Sequence, residues 1–476
     1  MADYTGNFQY IAENGSVLQQ GDCRFQFDKE TLTLTPESAA PIAFDLGDLD
    51  GVIAGHPQLK LPLYTGRTLV LRQLGKAFER IAHDLLEAFR DRAAQCLLVG
   101  DLKEVARFDG RFELATSVKC SSCGARTQAT KFCRECGKPL SSQPSAARSG
   151  EAEIRLYESN LAVQPTAAVG FQWRLADVDA VREDNHEIAL DAGDRTLRIS
   201  GLGKRSDDFA RKLRDTVNTL ATNSAQAIHR AFPFLNPDQL QATAAVLREG
   251  RSALVAKLAA IHGKTPAALA ANAVDGALKP YYDELLKRTA HDLLYAGFKL
   301  IRPEDREGSP AESATESTEQ SPEQQEDLST EGLPDADSAA PDTMYWFFFP
   351  LAATPGSSEP GNVVAWEASS TGGRATYFFR LVEPSQAGEL KNNPALVEES
   401  IRTLNAALGI LNFRRRPIYL SDDEIEMNPQ FHRYAIAARR IPEVRQLRSR
   451  FLGRAIHSSP EAWQEQLKSI LSKGCV

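Results

Sequence analysis

The chain contains an internal repeat, and this repeat constrains the fold more than any other feature of the sequence. Residues 25–90 and 154–220 align at an offset of 129, which a one-residue deletion changes to 128 after Leu61. The identical pairs include Leu32 and Leu161, Pro36 and Pro165, Asp48 and Asp177, Asp50 and Asp179, and the tripeptides Leu74-Gly75-Lys76 and Leu202-Gly203-Lys204. Two segments that share such a pattern are expected to share a fold, so the chain should contain two copies of one domain.

Each copy combines short strands with one helix. Apolar residues alternate with polar ones in the second copy, which predicts half-buried strands; the alternating pairs include Ile154 and Leu156, Leu161 and Val163, and Leu197 and Ile199. The first copy continues with apolar residues at helical spacing, Phe78, Ile81, Leu85 and Phe89, and the second copy repeats them as Phe209, Leu213 and Val217. A small sheet that buries one face needs a cover, so each helix is expected to close the core of its own domain.

This order of several antiparallel strands and one C-terminal helix, within about 100 residues, resembles the pleckstrin-homology-like (PH-like) superfold. The resemblance divides the first half of the chain into domain 1, residues 1–103, and domain 2, residues 104–222. It implies an α+β protein with two tandem antiparallel β-sandwich or barrel domains, each capped by its C-terminal helix. Because PH-like domains bind lipids, peptides and proteins alike, the resemblance does not determine a function.

Four cysteines form two closely spaced pairs. Each pair has two intervening residues and a following glycine, in the segments Cys120-Ser121-Ser122-Cys123-Gly124 and Cys133-Arg134-Glu135-Cys136-Gly137. This spacing allows both sulfurs of a tight turn to face one centre, and the glycine permits a positive φ. The segment resembles the short zinc-ribbon family. By this resemblance Cys120, Cys123, Cys133 and Cys136 are the ligands of one structural zinc ion per chain, whose coordination shell four thiolates would close.

The repeat also predicts where this ribbon lies. Domain 1 has a short loop, residues 14–21, before the strand at Phe25, whereas domain 2 has about forty residues before the equivalent strand at Ile154. The ribbon, residues 117–141, is therefore expected as an insertion in the first hairpin of domain 2. Its bases, Lys119, Arg126, Lys131, Arg134 and Lys138, exceed its one acid by four charges. They either balance the negative charge of a zinc tetrathiolate or contact nucleic acid.

Cysteine usage and hydropathy predict a cytoplasmic protein. Seven cysteines, four of them clustered, suit a metal site in a reducing compartment better than a disulfide framework. The longest strongly apolar stretch, near residues 345–353, is about half of the ~20 residues that a spanning helix needs. The first 30 residues carry acids instead of a basic start and an apolar core, so no secretory signal is expected.

The charge of the chain is unevenly distributed. Residues 304–342 contain thirteen acids and one base and lack aromatic residues, which predicts a disordered acidic linker. The C-terminal region is instead rich in arginine, and its candidate anion-binding residues are Arg414, Arg415, Arg416, Arg439, Arg440, Arg445 and Arg448. These arginines form either a solvated face or a binding surface. For a binding surface, the expected partner is the acidic linker or another acidic protein first, nucleic acid second and anionic lipid third.

The remaining residues are predicted to form two further parts. Residues 223–303 have helical periodicity and prolines near expected helix starts, so they are interpreted as a separate helical segment. Residues 343–476 are interpreted as a C-terminal α+β domain. Its strands are expected at residues 345–350, 363–366 and 375–381, its first helix at Asn393-Pro394, and a further strand directly after Arg414, Arg415 and Arg416.

The sequence contains no recognisable nucleophile, acid–base pair or nucleotide-binding motif, so a catalytic role is not indicated. The leading hypothesis is a non-catalytic adaptor or scaffold that binds protein partners through its PH-like and zinc-ribbon modules. A nucleic-acid-associated zinc-ribbon protein is the alternative, and an enzyme with an unrecognised site in residues 343–476 is a third. The sequence does not identify the partner.

Overall fold

A computed structural model describes residues 3–301, 343–352, 360–369, 375–381 and 394–474, except for short gaps at 56, 120–125, 129–131, 134–135, 140–147, 167, 185, 194, 275, 290–292 and 429–430. The predicted acidic linker, Cys120 and Cys123 lie outside the described residues. The chain divides into two compact units. The repeat unit contains Met1–Leu220 and Ala406–Ser449, and the second unit contains Ala221–Asn405 and Arg450–Val476.

The first repeat is a seven-stranded antiparallel sheet followed by a helix. Its elements are β1 (Tyr4–Ile11), β2 (Val17–Phe27), β3 (Thr31–Pro36), β4 (Ile42–Asp45), β5 (Ile53–Gly55), β6 (Gln58–Pro62), β7 (Thr68–Arg72) and α1 (Phe78–Cys96). The spatial order of the strands is β4-β3-β2-β1-β7-β6-β5. The apolar side of α1, including Phe78, Ile81 and Leu85, packs into one core with Phe8 and Phe25 of the sheet.

The second repeat reproduces this arrangement. Its elements are β8 (Glu104–Lys119), β9 (Arg126–Gln128), β10 (Arg148–Tyr157), β11 (Asn160–Pro165), β12 (Phe171–Arg174), β13 (Ala180–Asp184), β14 (Glu187–Ala192), β15 (Arg195–Ser200) and α2 (Ser206–Ala231). Seven of its strands follow the equivalent order, β12-β11-β10-β8-β15-β14-β13. The strands β3 and β11 begin 129 residues apart, and α1 and α2 begin 128 residues apart, as the aligned sequences require. The expectation of antiparallel strands followed by one helix is therefore met in both copies.

The cysteine-rich segment lies between β8 and β10, which form the hairpin equivalent to β1 and β2 of the first repeat. The end of β8 pairs with β9, so that Lys119 is opposite Arg126. This is the position that the length difference between the two copies predicts for the insertion.

The second unit combines helices with one six-stranded antiparallel sheet. Its helices are α3 (Pro237–Val246), α4 (Val255–Ile261), α5 (Thr265–Ala273), α6 (Lys279–Arg288), α7 (Pro394–Ile410) and α12 (Pro460–Gly474), of which α7 continues into the repeat unit. Its strands are β16 (Ala253–Leu254), β17 (Tyr295–Leu300), β18 (Thr343–Ala352), β19 (Pro360–Ser369), β20 (Ala375–Arg380) and β21 (Phe451–Ile456), in that spatial order. The three strands predicted from residues 345–381 are present, and α7 begins at Pro394 as expected.

Three of the predictions about organisation differ from the structure. Residues 223–303 are not a separate helical segment, because β17 pairs with β18 and the helices share one apolar core with residues 347–470. Residues 406–449 instead belong to the repeat unit. Arg416 begins a short helix and not a strand, since Pro417 occupies its first turn, where a missing N–H has no consequence.

Residues 406–449 of the repeat unit are helical. After the end of α7 they form α8 (Arg416–Tyr419), α9 (Asp422–Met427), α10 (His432–Arg440) and most of α11 (Pro442–Arg450). No helix among the described residues is long and apolar enough to cross a membrane.

Candidate functional site

The second cysteine pair lies in a small hairpin that is closed by backbone hydrogen bonds. The N–H of Gly137 donates to the carbonyl oxygen of Cys133 at 2.9 Å, and the N–H of Cys133 donates to that of Lys138 at 2.8 Å. Gly137 has a φ of 68°, which glycine adopts without strain. Phe132 and Pro139 form a bridge that closes this small hairpin, and Cys133 is buried.

The predicted zinc site consists of four cysteines. Cys120 and Cys123 fall in the gap between β8 and β9, outside the described residues. Among the residues that are described, no group of three or more His, Cys, Asp or Glu side chains lies close enough together to hold a metal ion. The zinc site thus stays a prediction.

Buried charges join the two repeats. Ile154 and Leu156 of β10 point into the core of the second repeat, so Glu153 and Arg155 face the opposite side of the sheet. Both charged side chains are nevertheless buried, with exposed fractions of 4% and 3%, because α1 of the first repeat covers them. The Nε of Arg155 donates to Glu153, and its Nη1 donates to Asp91 of α1 at 2.8 Å.

Other contacts extend this interface along α1. Arg90 donates to Glu153 at 3.3 Å, and the side-chain amide of Gln164 donates to the carbonyl oxygen of Arg90 at 3.0 Å. The amide of Gln172 donates to the carbonyl oxygen of Leu97 at 2.6 Å. Burial alone would lower the pKa of Arg155, but Glu153 and Asp91 more than reverse this and raise it above its ordinary value. The guanidinium thus stays charged within the interface.

The predicted anion-binding arginines meet acidic groups of the first repeat. A 3-10 turn, Leu46–Asp48, follows β4. Arg439 donates to Asp48 at 3.2 Å, while Arg440 donates to Asp50 and, at 2.7 Å, to the carbonyl oxygen of Gly47. Burial raises the pKa of Asp48, and Arg439 offsets only part of this effect.

Asp45 holds the turn in place from the other side. Its carboxylate accepts the N–H of Gly47 at 2.7 Å and is bound by both Nε and Nη2 of Arg92, at 3.0 and 2.6 Å. This paired geometry fixes the direction of the carboxylate. Burial raises the pKa of Cys96, which lies under the turn, to about 12.

A second acid binds the start of the arginine-rich segment. Asp101, in the connection between the repeats, accepts from Arg414 at 3.2 Å and from Arg433 at 2.8 Å. Burial acts to raise the pKa of Asp101, but the two arginines, Arg433 above all, hold it below its ordinary value. Arg414 also donates to the hydroxyl of Tyr434 at 2.6 Å.

The other predicted arginines also have neighbours within the repeat unit. Arg448 donates to the carbonyl oxygen of Leu420 at 2.8 Å and to Asp422 at 2.6 Å. Arg445 donates to the carbonyl oxygen of Arg439 at 2.7 Å. Arg416 lies over the ring of Phe431 at 5.7 Å, and Arg415 is the N-cap residue of α8. The sequence therefore identified these arginines as candidates, but it did not identify the groups that they contact.

The acids Asp45, Asp48 and Asp50 were not selected as site residues from the sequence. The sequence does mark two of them, because Asp48 and Asp50 recur in the second repeat as Asp177 and Asp179. The repetition alone indicates a shared turn. It does not indicate that arginines about 390 residues further along the chain bind to one of the two copies.

No protein-family model matches the sequence, and no curated protein matches it significantly. Among solved structures, one titled "Structure of the Spt16D Pob3N heterodimer" is similar to this chain at 12% sequence identity. The match covers 40% of this chain and 84% of that chain, with a TM-score of 0.15. Values this low establish neither a shared fold nor a shared function.

Proposed function

We propose that this chain is a non-catalytic, cytoplasmic adaptor that binds protein partners through two tandem PH-like domains. The observation that carries the proposal is the duplicated scaffold, in which two equivalent sheet-and-helix domains are joined by buried charges. Two copies that keep one relative orientation present their surfaces as a single platform. A partner that contacts both copies then gains from the second contact without a further loss of translational freedom.

The environment of the arginines disfavours the binding of nucleic acid through them. Phosphate binding needs cationic groups that are available to solvent and neutralise several phosphates together. Arg414, Arg439, Arg440 and Arg448 are instead paired with carboxylates of the same unit. A nucleic acid would have to replace these intramolecular ion pairs.

The zinc ribbon forms part of this proposal. Cys120, Cys123, Cys133 and Cys136 would hold one zinc ion, and the ion would cross-link the insertion into a folded module. Four thiolates leave no coordination position for a substrate, so the ribbon serves as a binding element. The turn at Cys133 and the hydrogen bonds around it support this assignment.

Affinity purification of the tagged full-length chain, followed by cross-linking and mass spectrometry, tests the adaptor role. We expect cross-links from one partner to both repeats. The variant Glu153→Ala loosens the contact between the repeats and should reduce recovery of that partner. Arg182→Ala, which alters an exposed ion pair on the outer strand β13, is the matched control. Equal recovery by both variants would count against a platform made of two fixed repeats.

Binding to DNA and RNA at several salt concentrations separates the adaptor from the alternative. Tight binding that weakens steeply with salt would show that phosphates are the ligand and would replace the adaptor proposal by a nucleic-acid-associated role. Weak binding with a shallow salt dependence is the expected result.

A further inference from the structure

The two repeats differ at the strand that forms one edge of each sheet. β5 stands at the end of the first sheet and β13 at the equivalent end of the second, and each pairs with a single neighbouring strand. The aligned residues are Ile53, Ala54 and Gly55 in β5 and Arg182, Glu183 and Asp184 in β13. The first edge is therefore uncharged, whereas the second carries a charge at all three positions.

The edge of the second repeat is protected by its charged side chains. Charges on an edge strand oppose the addition of a further strand. Arg182 also binds Asp191 of β14 with two hydrogen bonds of 2.8 Å, and Glu183 accepts from Arg214 of α2. A strand added at β13 would remove water from these ion pairs.

The edge of the first repeat lacks this protection. All three residues of β5 are exposed, and Ile53 is 38% exposed although it is a large apolar residue. Their backbone pairs with β6 on one side. Among the described residues, no other element forms a backbone hydrogen bond with residues 53–55. The N–H and C=O groups on the outer side of an edge strand are available to a further strand.

The side chains beside β5 indicate the chemistry of that further strand. Lys60 of β6 is directly opposite Ile53, so both side chains lie on one face of the sheet. Lys60 is exposed, and within the described part of the chain no carboxylate forms an ion pair with it. A Cβ atom on Gly55 would have no heavy atom within 4 Å, so the same face is open next to Lys60. A strand added at β5 would lie about 10 Å from β6, and a glutamate opposite Gly55 could meet Lys60 across this opening.

We propose that β5 is a docking site for an extended segment of a separate protein partner, which adds a strand to the first sheet and pairs an acidic residue with Lys60. The inference rests on the proposed adaptor function and names the chemistry of one partner. Main-chain hydrogen bonds to β5 supply the affinity, while Ile53 and Lys60 select the side chains of the segment. The second repeat has no equivalent site, because its edge is charged.

The test uses the full-length chain and a set of fluorescent, end-capped peptides of Thr and Val in which one Glu is moved along the strand. I53R/A54E gives β5 the residues that β13 has at the aligned positions, Arg182 and Glu183. This variant should bind the best peptide at least about ten-fold more weakly than the unmodified chain. Circular dichroism checks that the variant is folded. Equal affinities of the folded variant and the unmodified chain would overturn the proposal.

A charge reversal provides a second variant that leaves the edge strand intact. K60E should weaken binding of the best peptide by about five-fold, since the pair is exposed to solvent. Replacing the Glu of the peptide with Lys should restore its affinity for K60E. K29E is the matched control, because Lys29 lies in the turn between β2 and β3, which is remote from β5 in the strand order. An equal loss in K29E, or no restoration by the Lys peptide, would refute the pairing with Lys60.

Two further outcomes separate this site from a second copy of the chain and from the adaptor function. A dimer of the unmodified chain in analytical ultracentrifugation that I53R/A54E dissociates would assign β5 to self-association and overturn the proposal. If no peptide binds while one partner still cross-links to both repeats, the adaptor function stands and this docking site is rejected. If the peptide binds as expected while no partner cross-links to both repeats, the site is retained and the two-repeat platform is rejected.

Discussion

Replacing Glu153 with alanine tests how strongly the buried charges couple the two repeats. The substitution removes the carboxylate that accepts from Arg155 and from Arg90. Arg155 then stays in the interface, 3% exposed, with Asp91 as its remaining carboxylate partner at 2.8 Å. Removing one partner of a buried ion pair costs about 3–5 kcal/mol. We expect a loss of about 3 kcal/mol, at the lower end of that range, because Asp91 is 49% exposed and still compensates part of the charge.

A second variant distinguishes the cost of losing the ion pair from the cost of leaving one charge buried without its partner. The double change Glu153→Met and Arg155→Met removes both charges and retains apolar side chains of similar length. Such replacements are often neutral or stabilising, so the double variant should be more stable than Glu153→Ala. Arg182→Ala is the control, because Arg182 is 63% exposed and its pair with Asp191 should contribute less than about 1 kcal/mol.

Hydrogen exchange along a urea series is the appropriate assay, because a chain with two units need not unfold in one step. It reports the unfolding free energies of α1, β10 and β11 separately. The reasoning is refuted if Glu153→Ala costs no more than Arg182→Ala, or if the double variant is less stable than Glu153→Ala.

Three further predictions concern the turn, the ribbon and the connection between the repeats. Gly47→Ala should destabilise the first repeat by about 1–3 kcal/mol through overpacking, and adding Cys96→Ala should recover part of this loss in urea unfolding; an unchanged midpoint for Gly47→Ala contradicts the contact. Cys133→Ser should remove one zinc from the native mass spectrum without altering exchange in β1–β7, and a spectrum of the unmodified chain without zinc would reject the ribbon. Because the pKa of Asp101 lies below its ordinary value of 3.8, its contribution to stability is present above that pH and is lost as the pH falls through the lower folded-state pKa. The melting temperature of Asp101→Asn should therefore fall less steeply at acidic pH than that of the unmodified chain. An equally steep fall would show that the pairing of Asp101 with Arg414 and Arg433 does not stabilise the fold.

The internal repeat made much of the repeat unit predictable. Strand alternation and helical spacing are local properties, so they indicated most of the strands and the start of the capping helix in each copy. The aligned copies also located the insertion between β8 and β10, because one copy is longer than the other at that point. The second cysteine turn follows from Cys133, Cys136 and Gly137 for the same local reason.

These local patterns do not show which strands pair when the strands are far apart in the sequence. The short strand β17 looked like the end of a helical segment, and only its pairing with β18 shows that both lie in one sheet. The strand expected directly after Arg416 is instead the short helix α8, which has Pro417 in its first turn.

By itself, the sequence determined that one arrangement of antiparallel strands and a following helix occurs twice, and where four cysteines interrupt the second copy. The tertiary structure alone decided which charges are buried and which arginine binds which carboxylate. Glu153 and Arg155 alternate with core residues just as surface residues do, and they are buried because α1 of the other repeat covers them. Arg440 and Asp50 are 390 residues apart, and a contact at that separation depends on how whole elements pack, which no local pattern of residues encodes.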